Sequence, residues 1–217
     1  MMYGGAPDVV GEICIPDCEL TYTLYMPVRL AGQSQVAIPR HLDGYGALVN
    51  AALDYEGVAG DGRFVYLTVK RLWVEPGCVG GRPGWHTDGF GTTDVNYIWA
   101  DADPTEFCVQ PFELSDDHEI SMRQMEEQAR PENYRTYGEI NLLRLDCRHV
   151  HRCPVNPSAG YRTFARVSFS DDRYDMIGNA HNYGLDYNWI MYPRGSVRND
   201  VSARLSSPKA SASGVVG

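Results

Sequence analysis

The stretch Phe64 to Val74 (FVYLTVKRLWV) constrains the fold more than any other part of the chain. It is rich in β-branched and aromatic residues and contains neither Gly nor Pro, which favours a long strand. Several shorter stretches share that character. Leu20–Met26 alternates large apolar and smaller polar residues and stops at Pro27, and Thr93–Ala100, Thr105–Phe112, Ile140–Leu145, Arg148–Cys153 and Thr163–Ser170 read as further strands. Helical periodicity is confined to two places. After Pro39, the residues Tyr45, Leu48, Val49, Ala52 and Leu53 form one apolar helix face, suited to packing on the outside of a sheet. Asp116–Ala129 is an acidic surface helix, started by a capping box of Asp116 with Glu119 and stopped before Pro131. Residues 1–20 read as loop. Many strands at short spacing with few helices predict a mainly β fold with flanking helices, a barrel or jelly roll. One domain is expected over 1–200, followed by a disordered Ser/Ala/Gly-rich tail over 201–217.

Composition narrows the class of partner. The 217 residues are 43% hydrophobic and 22% charged, enough apolar material for a sizeable core. With 19 basic and 28 acidic side chains the formal charge is −9, which repels polyanions, so no bulk nucleic-acid binding is expected. At physiological salt, sub-micromolar protein should give no gel shift with duplex DNA. No apolar run is long enough to predict a membrane span. Residues 1–8 lack the basic and apolar parts of a secretory leader. The cysteines at 14, 18, 78, 108, 147 and 153 form no CxxC pair and are expected as reduced thiols in a cytoplasmic setting.

The chemistry concentrates around Trp85-His-Thr-Asp-Gly89, set between the Gly/Pro-rich loop 76–84 and a second turn at Gly89 and Gly91. On extended chain, residues i and i+2 point to the same side, so His86 and Asp88 offer an imidazole and a carboxylate to one point. That is two-thirds of a 2-His-1-carboxylate triad, which leaves coordination positions open. A second histidine is needed. His149 and His151 would share a strand face, flanked by Cys147 and Cys153. Those four cannot form one zinc site, because alternate positions along a strand span roughly 20 Å. One of the two histidines must be the partner. Further on, Arg166 and Ser168 share a face of the Thr163–Ser170 strand. An inward Arg there needs a carboxylate, from the protein or from a ligand.

His-x-Asp, a distal His followed by Arg, and Arg-x-Ser on the next strand together resemble the Fe(II)/2-oxoglutarate-dependent oxygenase superfamily. The resemblance covers residues 64–170. It implies a double-stranded β-helix, the cupin-type jelly roll. It makes His86, Asp88 and His151 the iron ligands, with His151 preferred to His149 because Arg152 follows it. It gives the far carboxylate of 2-oxoglutarate to Arg166, assisted by Ser168. Arg162 is the alternative anchor, because it keeps the shorter spacing from His151 but lacks the x-Ser. The implied reaction hydroxylates a substrate, with succinate and CO2 as co-products. The wording WHTDGFGTTDVNYIWAD is also similar to small oxygenase-like proteins carried by bacteriophages. Neither resemblance names the small-molecule or protein substrate or the oligomeric state. Two further readings of the same residues are a cupin-like metal-binding protein without oxygenase turnover and an inactive interaction protein on this fold.

The remaining candidates have ordinary expectations. His149 is expected beside the site, and His41, His118 and His181 on the surface or in loops. One face of the strand carrying Asn96, Tyr97 and Trp99 should line the cavity, as should one face of the strand before it, where Tyr66, Thr68 and Lys70 alternate. Residues 179–192 are expected as a substrate lid or as a clasp on the barrel end.

Overall fold

The computed structural model describes residues 2–156 and 158–194. The tail expected over 201–217 lies outside the described residues. Among the described residues, nine strands form two antiparallel sheets. In chain order they are β1 (Asp8–Glu12), β2 (Thr21–Arg29), β3 (Phe64–Val74), β4 (Val95–Ala100), β5 (Glu106–Cys108), β6 (Tyr134–Arg135), β7 (Asn141–Asp146), β8 (His151–Arg152) and β9 (Gly160–Ser170). The large sheet has the order β1-β7-β4-β9-β3-β2 and the small one β6-β5-β8. The α-helices are α1 (Gly46–Glu56), entered through a 3-10 turn at Arg40–Tyr45, and α2 (His118–Gln128). The fold is mainly β with few helices.

Strand alternation sorts the large sheet into two faces. Val65, Leu67 and Val69 of β3, Val95, Tyr97 and Trp99 of β4, and Ala165, Val167 and Phe169 of β9 pack with Leu48, Val49 and Ala52 of α1 in one core. The intervening residues face the other way. There Ile98, Leu143, Leu145 and Phe164 meet Phe107 of the small sheet. Cys108, next to Phe107, points to the far side of the small sheet and packs with Met125 of α2. The layers therefore run α1, large sheet, small sheet, α2. The β3–β9 pairing is the backbone of this arrangement. It is continuous from Phe64↔Ser170 to Val74↔Gly160, which fixes which residues look toward the small sheet.

Several elements depart from the sequence expectation. Residues 8–12 form β1, which pairs with β7 across a bulge between Val9 and Gly11. The strand β2 continues through Pro27. It can do so because β2 is an edge strand and Pro27 sits at a register shift, where a missing N–H costs nothing. The cap of α2 is Asp117, whose carboxylate accepts from Ile120 N at 2.9 Å, so Glu119 falls in the first turn and no capping box forms. The stretch 105–112 holds only three strand residues, and Phe112 instead bridges Tyr3. The segment 179–192 behaves as a clasp. The buried Asn182 amide donates to Pro27 O and Ala37 O, both at 2.8 Å, and Met176 bridges Tyr192.

Candidate metal centre

His86 and His151 meet through their backbones. His86 N donates to His151 O and His151 N to His86 O, both at 2.9 Å. Such a reciprocal pair sets the two side chains on the same side of the chain pair. Their ring centroids are 4.7 Å apart. His151 is anchored in turn by β8, which pairs with β5. Asp88 follows His86 by two residues and faces the same point, with Oδ2 3.8 Å from His151 Nε2. The chain then turns at Gly89, whose φ of +67° and close approach to Thr92 and Asp94 leave no room for a side chain.

The hydrogen bonds settle which ring nitrogens are free. Each Nδ1 is spent on the carbonyl two residues earlier. His86 Nδ1–H donates to Gly84 O at 2.8 Å and His151 Nδ1–H to His149 O at 2.9 Å. Both Nε2 lone pairs are thereby left for a ligand, the arrangement in which an outer hydrogen bond fixes tautomer and orientation. One donor atom from each of His86, Asp88 and His151 lies within 4.8 Å of the other two. No other group of three such residues does so among the described residues. The donor set, two neutral imidazoles and a carboxylate, fits a divalent metal with open positions.

Electrostatics keep the donors in their ligating forms. Burial, reinforced by the neighbouring His151, pulls the His86 imidazole from its usual 6.5 to about 3. Burial also lowers His151, and Asp88 offsets part of that. Burial alone would raise the Asp88 carboxyl, but the Arg166 guanidinium beside it holds it well below the usual carboxylate range. Between about pH 3 and 6.5 the unfolded chain binds a proton at His86 that the folded site refuses, so stability falls as pH drops through that window. Urea melts of the metal-free protein should lose a few kcal/mol of stability between roughly pH 7 and 4. The variant His86→Gln should lose visibly less, and equal slopes would contradict the assignment.

The three donors open into a cavity of about 420 Å³ between the sheets. Arg166 lies on its floor, opposite Thr68 of β3 and Ile98 of β4. Its Nη1 donates to Asp88 Oδ2 at 2.7 Å, and its guanidinium stacks 4.7 Å from the Tyr25 ring centroid. Tyr25 sits at the bulge of β2 with φ +45°, a strained position for a non-glycine residue. Ser168 is on the same face as Arg166, but its hydroxyl is buried and donates to Asn96 Oδ1 at 2.6 Å. The next rung repeats the pattern, with Ser170 donating to Asp94. Arg162 lines the cavity further along β9, its Nε donating to Ala102 O and Asp103 O at 3.1 Å each. Lys70 of β3 projects beside them, and burial and the nearby Arg166 lower its pKa.

The structure therefore brings His86, Asp88, His151 and Arg166 together. It places Arg162 at the cavity wall and Ser168 beneath the floor. The His149 side chain is elsewhere. It contacts Asp146 and Ala6, and only its backbone carbonyl reaches the site. His118 is a correction. It was expected as a surface or loop residue, but it lines the cavity wall at the start of α2, with its ring 5.6 Å from Phe90. No motif marks it, because helix packing brings it there.

No protein-family model matches the chain, and no curated protein does. Two solved structures are similar at low identity. One is EvdO2 from Micromonospora carbonacea var. aurantiaca, at 15% identity over 60% of each chain with a TM-score of 0.35, so that the match spans less than two thirds of that protein. The other is an oxidoreductase of the 2OG-Fe(II) oxygenase family from Burkholderia pseudomallei, at 13% identity over 71% of this chain and 74% of that one, with a TM-score of 0.40.

Proposed function

We propose that the protein is an Fe(II)- and 2-oxoglutarate-dependent dioxygenase built on a double-stranded β-helix. The observation that carries this reading is the ligand set: two imidazoles with Nε2 free, one carboxylate, and an open cavity beyond them. His86, Asp88 and His151 would hold the metal. When bound, iron and 2-oxoglutarate supply the oxidising chemistry, turning 2-oxoglutarate and O2 into succinate and CO2 as a substrate C–H is hydroxylated. The chain's own residues bind and orient. Arg166 is assigned to the far carboxylate of 2-oxoglutarate. Its Nε is buried without a hydrogen-bond partner among the described residues, so an incoming acceptor would satisfy it. Lys70 and Arg162 extend the same basic floor. Ser168 is held by Asn96, so its part is to fix the rung beneath Arg166. The cytoplasmic setting belongs to the same proposal, supported by six free cysteines.

Protein reconstituted with Fe(II) without oxygen should bind 2-oxoglutarate and change its iron spectrum. On admitting O2 it should make succinate slowly even with no second substrate. If 2-oxoglutarate neither binds nor perturbs the iron, the oxygenase reading fails. The second reading, a metal-binding protein without turnover, draws on one observation: Arg166 is already engaged by Asp88. It would then account for the same three ligands.

A further inference from the structure

The protein carries a formal charge of −9, yet its cavity is basic. Among the described residues, Lys70, Arg82, Arg162, Arg166 and Arg194 line it, against two acids, Asp88 and Asp94. Both acids are committed. Asp88 faces Arg166 and the two histidines, and Asp94 accepts from Ser170 and Tyr174 at 2.6 and 2.7 Å. A divalent ion would add two charges, and the dianion 2-oxoglutarate would remove two. The excess of positive charge would remain, which favours a second anion.

The basic groups occupy different parts of the cavity. Lys70, Arg162 and Arg166 belong to the β3–β9 floor. Arg82 comes from the loop before His86, and its Nη2 lies 2.6 Å from Met122 Sδ on α2. One helical turn earlier on α2, His118 lines the same cavity with its Nδ1 buried and without a partner among the described residues. Thr87, between the two ligands His86 and Asp88, is 3% exposed. Its Oγ1 also has no partner among the described residues, although the residue lines the cavity. Buried polar atoms are rarely left unpaired, and these two both belong to residues that line the cavity with Arg82, so each offers a ligand a hydrogen bond.

We propose that the substrate hydroxylated here is a small oxyanion, a carboxylate or phosphate, whose charged group docks among Arg82, Thr87 and His118. This rests on the oxygenase reading for the reaction but not for the binding site. Arg82, Thr87 and His118 line the same cavity into which the three donors open, so a molecule held there lies within that cavity beside the metal donors. The basic floor is left to 2-oxoglutarate, and the two anions bind side by side without competing.

The test uses Zn(II)-loaded protein saturated with 2-oxoglutarate, in which no turnover occurs. Inorganic phosphate and, separately, acetate are titrated in while the imidazole resonances of His118 are followed by NMR. A saturable shift with a Kd in the millimolar range is expected. Whichever probe binds more tightly identifies the phosphate or carboxylate class. Arg82→Gln should weaken binding roughly tenfold or more, because a charge-assisted bond is lost. Thr87→Val should weaken it severalfold while still binding Zn(II), and Arg130→Gln, an exposed site away from the cavity, should change nothing. Three results would overturn the proposal: no saturable shift for either anion, unchanged affinity in Arg82→Gln, or competition between the probe and 2-oxoglutarate. Failure of 2-oxoglutarate itself to bind would count against the oxygenase reading, and the phosphate and acetate titrations would still decide the subsite.

Discussion

Replacing His151 by Ala is expected to abolish stoichiometric binding of Fe(II) or another divalent metal, and His86→Ala and Asp88→Ala should do the same. Each removes one of the three donors that, among the described residues, lie within 4.8 Å of one another. Even outer partners of metal ligands cost about 10–100-fold in affinity when mutated, so losing a ligand should cost more than about 100-fold. His149→Ala is the control that gives this prediction its edge. His149 acts on the site only through its carbonyl, which accepts from His151 Nδ1, and an alanine keeps that carbonyl. Metal affinity should therefore fall less than about tenfold, below the usual range for outer partners. Its imidazole does bind Asp146 and Ala6, so its loss should cost about 1 kcal/mol, or roughly 2–4 °C in Tm. Metal content after dialysis and a thermal melt check both halves. Retained metal in His151→Ala with loss in His149→Ala would transfer the ligand role to the other histidine.

The long strands were legible because their alternation is local. Phe64 to Val74 and Thr163 to Ser170 carry side chains that fit a pleated surface; the structure gives the first its predicted bounds and starts the second three residues earlier, at Gly160. The strand β1 was not legible, because five residues containing a glycine become a strand only by pairing with β7. His86 and Asp88 could be read from spacing alone. His151 needed the resemblance, since alternation treats His149 and His151 alike. The structure separates them because β8 begins at His151, and His149 is left on the preceding turn. The fate of Arg166 and Ser168 was hidden for a different reason. Their shared face was readable, but which partner each would meet depends on β4 and on the turn after His86, far away in sequence. Asn96 took the serine and Asp88 the arginine. His118 and Arg82 were invisible on the same ground, being joined only by the docking of α2.

Asp88 and Arg166 form an ion pair at 2.7 Å. In the metal-free protein the arginine is the main positive charge facing a carboxylate set against two neutral imidazoles. Arg166→Ala would strand that carboxylate, and breaking a buried pair costs about 3–5 kcal/mol. For a chain of this size that is a fall of roughly 6–20 °C in Tm. A divalent metal should return most of the loss, because the ion takes over the role of the guanidinium. Wild type should gain less from metal, because there Asp88 already has a positive partner in Arg166. The difference between variant and wild type should persist across pH 5 to 8. The Asp88 carboxyl is held well below its ordinary value, so the pair's contribution is full above that value and is lost only as pH falls beneath it. With metal restored, the same variant should need roughly 10- to 150-fold more 2-oxoglutarate, the worth of one charge-assisted bond to a carboxylate. Arg162→Ala should change that requirement much less, since its Nε is already held by Ala102 O and Asp103 O. Calorimetry with and without metal, followed by succinate formation against 2-oxoglutarate concentration, separates the two roles. A variant that melts like wild type without metal would show that Arg166 does not balance Asp88. A steep dependence on Arg162 instead would move the co-substrate anchor four residues along β9 and leave the metal centre unchanged.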